Sequence, residues 1–192
     1  QARRRLAYDE LLCLQLALLA RRTVELAGDT PFAHTTDGPR KQALLAALPF
    51  ELTAEQHAAV HDILCDMEDP QIMNRLLLGD VGTGKTAVAA VALAAAADSG
   101  TQAAMMAPTS VLAQQYAEKL GPLLTASKIS WALVTGSTPP QKRAEIAQRV
   151  LAGDITVVFG TTALLSETMD FKRLTLVVID EQHRFGVAQR LA

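Results

Sequence analysis

The sequence predicts an α/β fold, a mostly parallel sheet with helices on both faces, preceded by a long N-terminal helix. Three observations carry that prediction. Short apolar runs alternate with helical stretches from Phe50 onward, and a glycine-rich loop of the form GxxxxGK[ST] joins one such run to a helix. A later apolar run ends in two carboxylates, Asp180 and Glu181. Strands that alternate with helices need crossover connections, and those favour parallel pairing with helices on both faces.

Taken in order, Ala2 to about Ala27 reads as one helix, with Leu6, Leu11, Leu12, Leu14, Leu16, Leu18 and Leu19 and no internal Gly or Pro. Its leucines fall on more than one face, the pattern of a helix held between bodies. Gly28 to Pro39 is rich in turn formers and is expected to be a linker. A short helix over Arg40–Ala47 stops before Pro49. Thr53 is an N-cap with Gln56 three residues on, a capping box for a helix to about Met67. Strands are expected at Arg75–Leu78, Ala103–Ala107, Ser130–Val134, Thr156–Phe159 and Leu174–Ile179. Helices follow at Lys85–Asp98, Ser110–Leu120 and Gln141–Leu151. The run Ala87–Ala97 is a strong helix former whose small side chains allow close approach to a sheet. These divisions give a helix over 1–27, a linker and short helix over 28–47, and one lobe over 48–192.

Composition narrows the class. Apolar residues make up 49% of the 192, which fits a packed core and excludes disorder. No apolar run reaches the roughly 20 residues of a membrane span, and no signal segment opens the chain. A soluble, cytoplasmic protein is expected, with no membrane partner. A start at Gln1 rather than Met reads as a piece of something longer. Cys13 and Cys65 lie far apart and are expected to be buried free thiols in a reducing compartment. His57 and His61 stand at i, i+4 without a third ligand, so helix-surface histidines are expected rather than a metal site. The net charge is −2, split as +2 over residues 1–49 and −4 over 50–192. Charge alone therefore makes no case for nucleic acid.

The chemistry is carried by two motifs. In Gly79-Asp80-Val81-Gly82-Thr83-Gly84-Lys85-Thr86, the glycines let backbone N–H groups turn inward around phosphate oxygens. The helix that follows aims its positive end at the same point. Lys85 is expected to reach the β- and γ-phosphates of ATP, and the Thr86 hydroxyl to enter a Mg²⁺ shell. An apolar strand ending in Asp180-Glu181 is costly without a cation nearby. Asp180 is expected to hold the Mg²⁺ through its water shell and Glu181 to polarise the attacking water. Three further turns, Ala107-Pro108-Thr109, Thr135-Gly136-Ser137 and Gly160-Thr161-Thr162, put hydroxyls at the carboxyl edge where open α/β sheets bind ligands. They could donate to a nucleic-acid backbone, or simply cap helices, and pattern alone favours capping.

Assembled, these residues resemble the first motor lobe of the RecG family, the branched-DNA helicases of superfamily two. The resemblance covers essentially the whole chain. It rests on Leu48-Pro49-Phe50-Glu51-Leu52-Thr53-Ala54-Glu55-Gln56, the phosphate loop, Met106–Gln115 and above all Asp180-Glu181-Gln182-His183-Arg184-Phe185-Gly186-Val187. It implies a RecA-like P-loop NTPase lobe that binds ATP and Mg²⁺. The same resemblance makes residues 1–27 the helix that joins a DNA-wedge domain to the motor. Gln56 would read the adenine edge with Phe50 packed near the base. Pro108, Thr109, Thr135, Gly136, Gly160 and Thr161 would touch DNA, and Gln182 and His183 would couple the γ-phosphate to those contacts. The implied activity is ATP-driven remodelling of branched or forked DNA, such as stalled forks and recombination intermediates, with a second motor lobe and a wedge domain as partners. The rival readings are the motor lobe of a transcription-repair coupling translocase, an RNA-dependent motor, and a P-loop module inactive in isolation.

Overall fold

A strand covered on both faces has no solvent side to mark with polar residues, and the central strand β1, Gln102–Met106, is buried at all five positions. Beside it run β2 (Trp131–Val134), β3 (Val157–Gly160) and β4 (Leu174–Ile179), in the order β2-β3-β1-β4. Among the described residues every pairing is parallel. The helices are α1 (Pro39–Ala47), α2 (Ala54–Glu68), α3 (Lys85–Asp98), α4 (Ser110–Ala126) and α5 (Pro140–Ala152), with a 3₁₀ turn at Thr162–Leu165. This computed structural model describes residues 5, 8, 11–13, 15–17, 31–80, 82–165 and 169–181, less the side chains of 163 and 165.

Strand residues alternate between two cores. Ala103, Met105, Val157, Phe159 and Leu176 pack with α1 to α4. Ala104, Met106, Val134 and Val158 pack with Ile146 and Val150 of α5 and with Leu164. Both faces of the sheet are thus covered, as alternation of strand and helix requires. The alanines of α3 do what their size allows: Ala90 and Ala94 to Ala97 are fully buried against the sheet and its neighbours. Among the described residues no helix is long and apolar enough to cross a membrane. Of the expected N-terminal helix, residues 5, 8, 11–13 and 15–17 are helical, with Leu11, Leu12 and Leu16 exposed, and the rest lies outside the described residues.

The structure corrects several expectations. Arg75–Leu78 is not a strand: Leu76 and Leu78 are 70% and 80% exposed. Arg75 donates to Asp66 at 2.6 Å and lies 3.6 Å from Asp62. Within the segment Leu77 alone turns into the core. α4 does not stop at Leu120 but runs through Gly121 and Pro122 to Ala126. Pro122 removes one helical hydrogen bond, yet Gly121 lies under the Trp131 indole, where a Cβ would stand 2.3 Å from Cζ2. Trp131 Nε1 also donates to Thr125 Oγ1 at 3.0 Å, so tertiary packing carries the helix past its breaker. Both thiols are exposed, not buried. Cys65 lies on the outer face of α2 beside His61 (3.7 Å), opposite the buried Val60, Ile63 and Met67.

Of the segment expected as linker and short helix, the described part, 31–47, packs on the sheet and its helices. Leu44 is fully buried, and the first turn of α1 is capped from α3. There Asp98 accepts from Arg40 N–H at 3.0 Å and Lys41 N–H at 2.9 Å. Ahead of α1, His34 is pinned at the amino edge of the sheet. The Thr101 hydroxyl donates to Ala96 O (2.9 Å) and Thr175 donates to Thr101 (2.7 Å). His34 Nε2 must then be the donor to Thr175 Oγ1 at 2.8 Å, which leaves Nδ1 bare toward Met67 O. Burial holds this imidazole below its ordinary 6.5, while the Met67 carbonyl pulls weakly the other way. Below pH 6.5 the unfolded chain therefore takes up a proton that the folded chain does not. Stability conferred by this group is fully present above that pH and is lost as pH falls through the lowered folded value. Urea midpoints measured from pH 7.5 to 5 should drop more steeply for the natural protein than for His34→Gln.

Candidate functional site

α3 packs on β1 and β4 and returns to the start of β1 through a tight turn at 99–101, so it runs antiparallel to the sheet. Its N-terminus therefore stands at the carboxyl edge, the edge at which β4 ends in Asp180. The Asp180 N–H donates to Met106 O at 3.0 Å and extends the β1–β4 ladder one step beyond the strand. Topology thus brings the phosphate loop and the acid pair to one edge.

Within the loop, Gly82 and Gly84 take φ of +89° and +77°, a left-handed backbone that side chains disfavour. A Cβ on Gly84 would stand 2.3 Å from Gln56 Nε2, whereas Gly82 faces open space. The Lys85 ammonium lies across the loop, donating to Gly79 O at 2.5 Å and Asp80 O at 2.8 Å. Thr86 is half-buried in the first turn of α3. Gln56 closes the expected capping box: its Oε1 accepts from Thr53 N–H at 2.9 Å and its N–H donates to Thr53 Oγ1 at 3.2 Å. Its Nε2 also donates to Thr83 O at 2.7 Å and so ties α2 to the loop. One amide proton and one lone pair of Gln56 remain for a ligand. Next to it, Leu45, Leu48, Pro49, Phe50, Leu52 and His57 line a cleft of about 570 Å³, with Phe50 half-exposed in its wall.

The acid pair shows two features that the sequence does not announce. Glu181 has φ of +48°, an uncommon state for a glutamate and one that clusters at functional sites. Asp180 Oδ2 accepts a hydrogen bond from the Tyr116 hydroxyl on α4. Burial first, then that bond, then the charges of Asp180 and Glu181 push the phenol well above its usual range, so it stays a proton donor. Nothing in the spacing of Gln114-Gln115-Tyr116 marks this contact.

The turn residues divide by exposure. Thr109 and Gly136 are exposed and Pro108 is half-buried, whereas Thr135, Gly160 and Thr161 are buried. Thr109 caps α4, accepting from Leu112 N–H at 3.3 Å. Thr135 Oγ1 bonds the Ser137 hydroxyl at 2.9 Å. A Cβ on Gly160 would come within 2.5 Å of Val134 O, so in this fold Gly160 is a packing glycine between β2 and β3. Gln182 and His183 lie outside the described residues. Among the described residues, no group of three or more His, Cys, Asp or Glu side chains gathers to hold an ion.

Known proteins resemble this chain in sequence and in fold. A family model described as DEAD/DEAH box helicase matches residues 53–191. The ATP-dependent DNA helicase RecG of Bacillus subtilis is 45% identical over 98% of this chain and 28% of its own length. RecG of Synechocystis is 47% identical over 98% of this chain and 23% of its own. The chain therefore spans about a quarter of the length of these relatives. A solved structure of RecG bound to a three-way DNA junction superposes with a TM-score of 0.87 at 42% identity, covering 96% of this chain and 25% of that one. The helicase MrfA, solved with DNA and AMPPNP, shares the fold at 20% identity and a TM-score of 0.60, covering 80% of this chain and 22% of that one.

Proposed function

Since this chain belongs to the DEAD/DEAH box helicase family, with RecG helicases as its relatives, we propose that it is the ATP-binding motor lobe of a DNA helicase or translocase acting on branched DNA. The observation that carries this reading is the shared edge: the Gly79–Thr86 loop at the head of α3, and Asp180-Glu181 at the end of β4. Likeness to RecG solved on a three-way junction favours branched DNA as the partner. The remaining length of the relatives is the natural source of a second motor lobe and a wedge.

The donor set fits a magnesium nucleotide. Gly82 and Gly84 leave a cradle that side chains would fill or strain, and Lys85 brings its charge to the mouth of that cradle. No protein cage for an ion is present among the described residues. The ion would be shared by Asp180, the Thr86 hydroxyl, water and phosphate oxygens, the usual habit of Mg²⁺. When bound, Mg²⁺ neutralises charge on the phosphate oxygens. Lys85 exchanges its carbonyl partners for phosphate. Gln56 spends its free donor and acceptor on an adenine edge while still holding Thr83, and Phe50 lines the adjoining cleft. Glu181 takes the proton of an attacking water. Thr109 and Gly136 are exposed for the DNA backbone, and Thr135, Gly160 and Thr161 shape the turns behind them.

Lys85→Ala is expected to remove a charge-assisted bond worth about 1.5–3 kcal/mol. Nucleotide affinity by calorimetry should fall about tenfold or more, with the melting temperature unchanged; equal affinity would remove Lys85 from the site. For the wider reading, ATP turnover by the full-length protein should rise with forked DNA and stay low with RNA of the same shape. Stimulation by the RNA fork alone would replace the DNA assignment.

A further inference from the structure

We propose that Tyr116 is a positioning residue through which the Thr109 turn acts on the carboxylate of Asp180. This rests on the reading of Asp180 as the Mg²⁺-holding carboxylate and of Thr109 as a DNA contact. The segment from the end of β1 to the second turn of α4 grips Asp180 at both of its ends. Met106 O accepts the Asp180 backbone N–H at 3.0 Å, and the Tyr116 hydroxyl donates to Asp180 Oδ2. Between these two points the chain turns through Pro108 and the exposed Thr109. Thr109 caps α4 and precedes Tyr116 by about two helical turns. The same helix buries Ala113, Ala117, Leu120, Gly121 and Leu124 on the face turned to the lobe.

Two consequences follow from the chemistry. A phenol has a single proton. Donated to Oδ2, it fixes the rotation of the Asp180 carboxylate and leaves Oδ1 and the remaining lone pairs for a metal's water shell. A load on Thr109 that tilts the head of α4 shifts the phenol and the Met106 carbonyl together, so Asp180 registers it through side chain and backbone alike. A tyrosine that merely filled the core would need its ring, which packs against the α3 side of the sheet, but not its hydroxyl.

Tyr116→Phe in the full-length protein keeps the ring and deletes the hydroxyl. With a fluorescent ADP analogue as probe, the Mg²⁺ concentration for half-maximal nucleotide binding is expected to rise about tenfold, the size of one bond to a charged group. DNA stimulation of ATP turnover should fall by a similar factor, and KM for ATP without DNA, measured at saturating Mg²⁺, should stay put. Thr109→Ala should also lower DNA stimulation, Thr109→Ser should restore it, and Tyr116→Phe combined with Thr109→Ala should be no worse than the poorer single variant. Asp180→Asn separates the two levels. If it raises the Mg²⁺ requirement while Tyr116→Phe leaves it untouched, the positioning role is overturned and the functional reading stands. If Asp180→Asn changes nothing, the functional reading itself fails. Fully additive losses in the double variant would overturn the link from Thr109 to Tyr116.

Discussion

Glu181→Gln is expected to lower ATP turnover of the full-length protein by about 10²–10⁴, the usual contribution of a positioned general base. Nucleotide affinity should stay nearly as it was. The substitution keeps the size and shape of the side chain and removes only its basicity, so binding contacts persist while proton removal from water does not. The loss corresponds to about 3–5.5 kcal/mol of barrier at 1.36 kcal/mol for each tenfold. The left-handed backbone at Glu181 bears on the choice of variant, because that conformation sets where the carboxylate stands off the end of β4. Glu181→Asp would retain a base but shorten its reach, and should lose most of the rate as well. Asp180→Asn should behave differently, weakening the Mg²⁺ dependence of nucleotide binding itself. Single-turnover hydrolysis and equilibrium binding, measured on the same preparations, check the division. Equal and unaltered metal dependence in both variants would mean that the two carboxylates do not divide the work this way.

What could be read from the sequence was local. The capping box of Thr53 and Gln56, the start of α3 at Lys85, and β4 over Leu174–Ile179 each depend on residues within a few positions of one another. Contacts between distant residues were not legible. Tyr116 and Asp180 are 64 positions apart, and no periodicity links them. Arg75–Leu78 reads as a strand by composition, yet it joins no ladder among the described residues and Arg75 pairs with Asp62 and Asp66 of α2. The helix expected to end at Leu120 continues through Gly121 and Pro122, where Trp131 packs on the glycine. Cys65 shows the same limit, since residue type favours burial whereas the helix face that carries it points outward. For the candidate site, the phosphate loop and acid pair were legible because their chemistry is compressed into short motifs. The exposure of the three hydroxyl-bearing turns was not, because it depends on how far each strand end is covered by its neighbours.

The largest expected loss of stability lies in the wall behind those turns, at Phe159→Ala. Phe159 is fully buried on β3, between Leu133 of β2 and Met105 of β1 in register. Its ring meets the Trp131 indole edge-on, with centroids 5.9 Å apart at 75°. Truncation removes the transfer free energy of the ring and leaves a cavity that the strands cannot close, because parallel pairing on both sides fixes the backbone. Such changes cost about 3–5 kcal/mol, against a total of about 5–15 kcal/mol for a typical domain. Trp131 is itself held by Gly121 beneath it and by its bond to Thr125, so it cannot swing into the space. Phe159→Leu, which keeps most of the volume, should lose much less. Urea unfolding is the measurement: the midpoint should fall sharply for alanine with the slope unchanged, and only slightly for leucine. Gly160 and Thr161 follow directly on the chain, so at a temperature where the alanine variant remains folded, DNA affinity should fall more than nucleotide affinity. A loss of stability below about 1 kcal/mol would show that the core relaxes around the missing ring, and that the turn after β3 is held by something other than this packing.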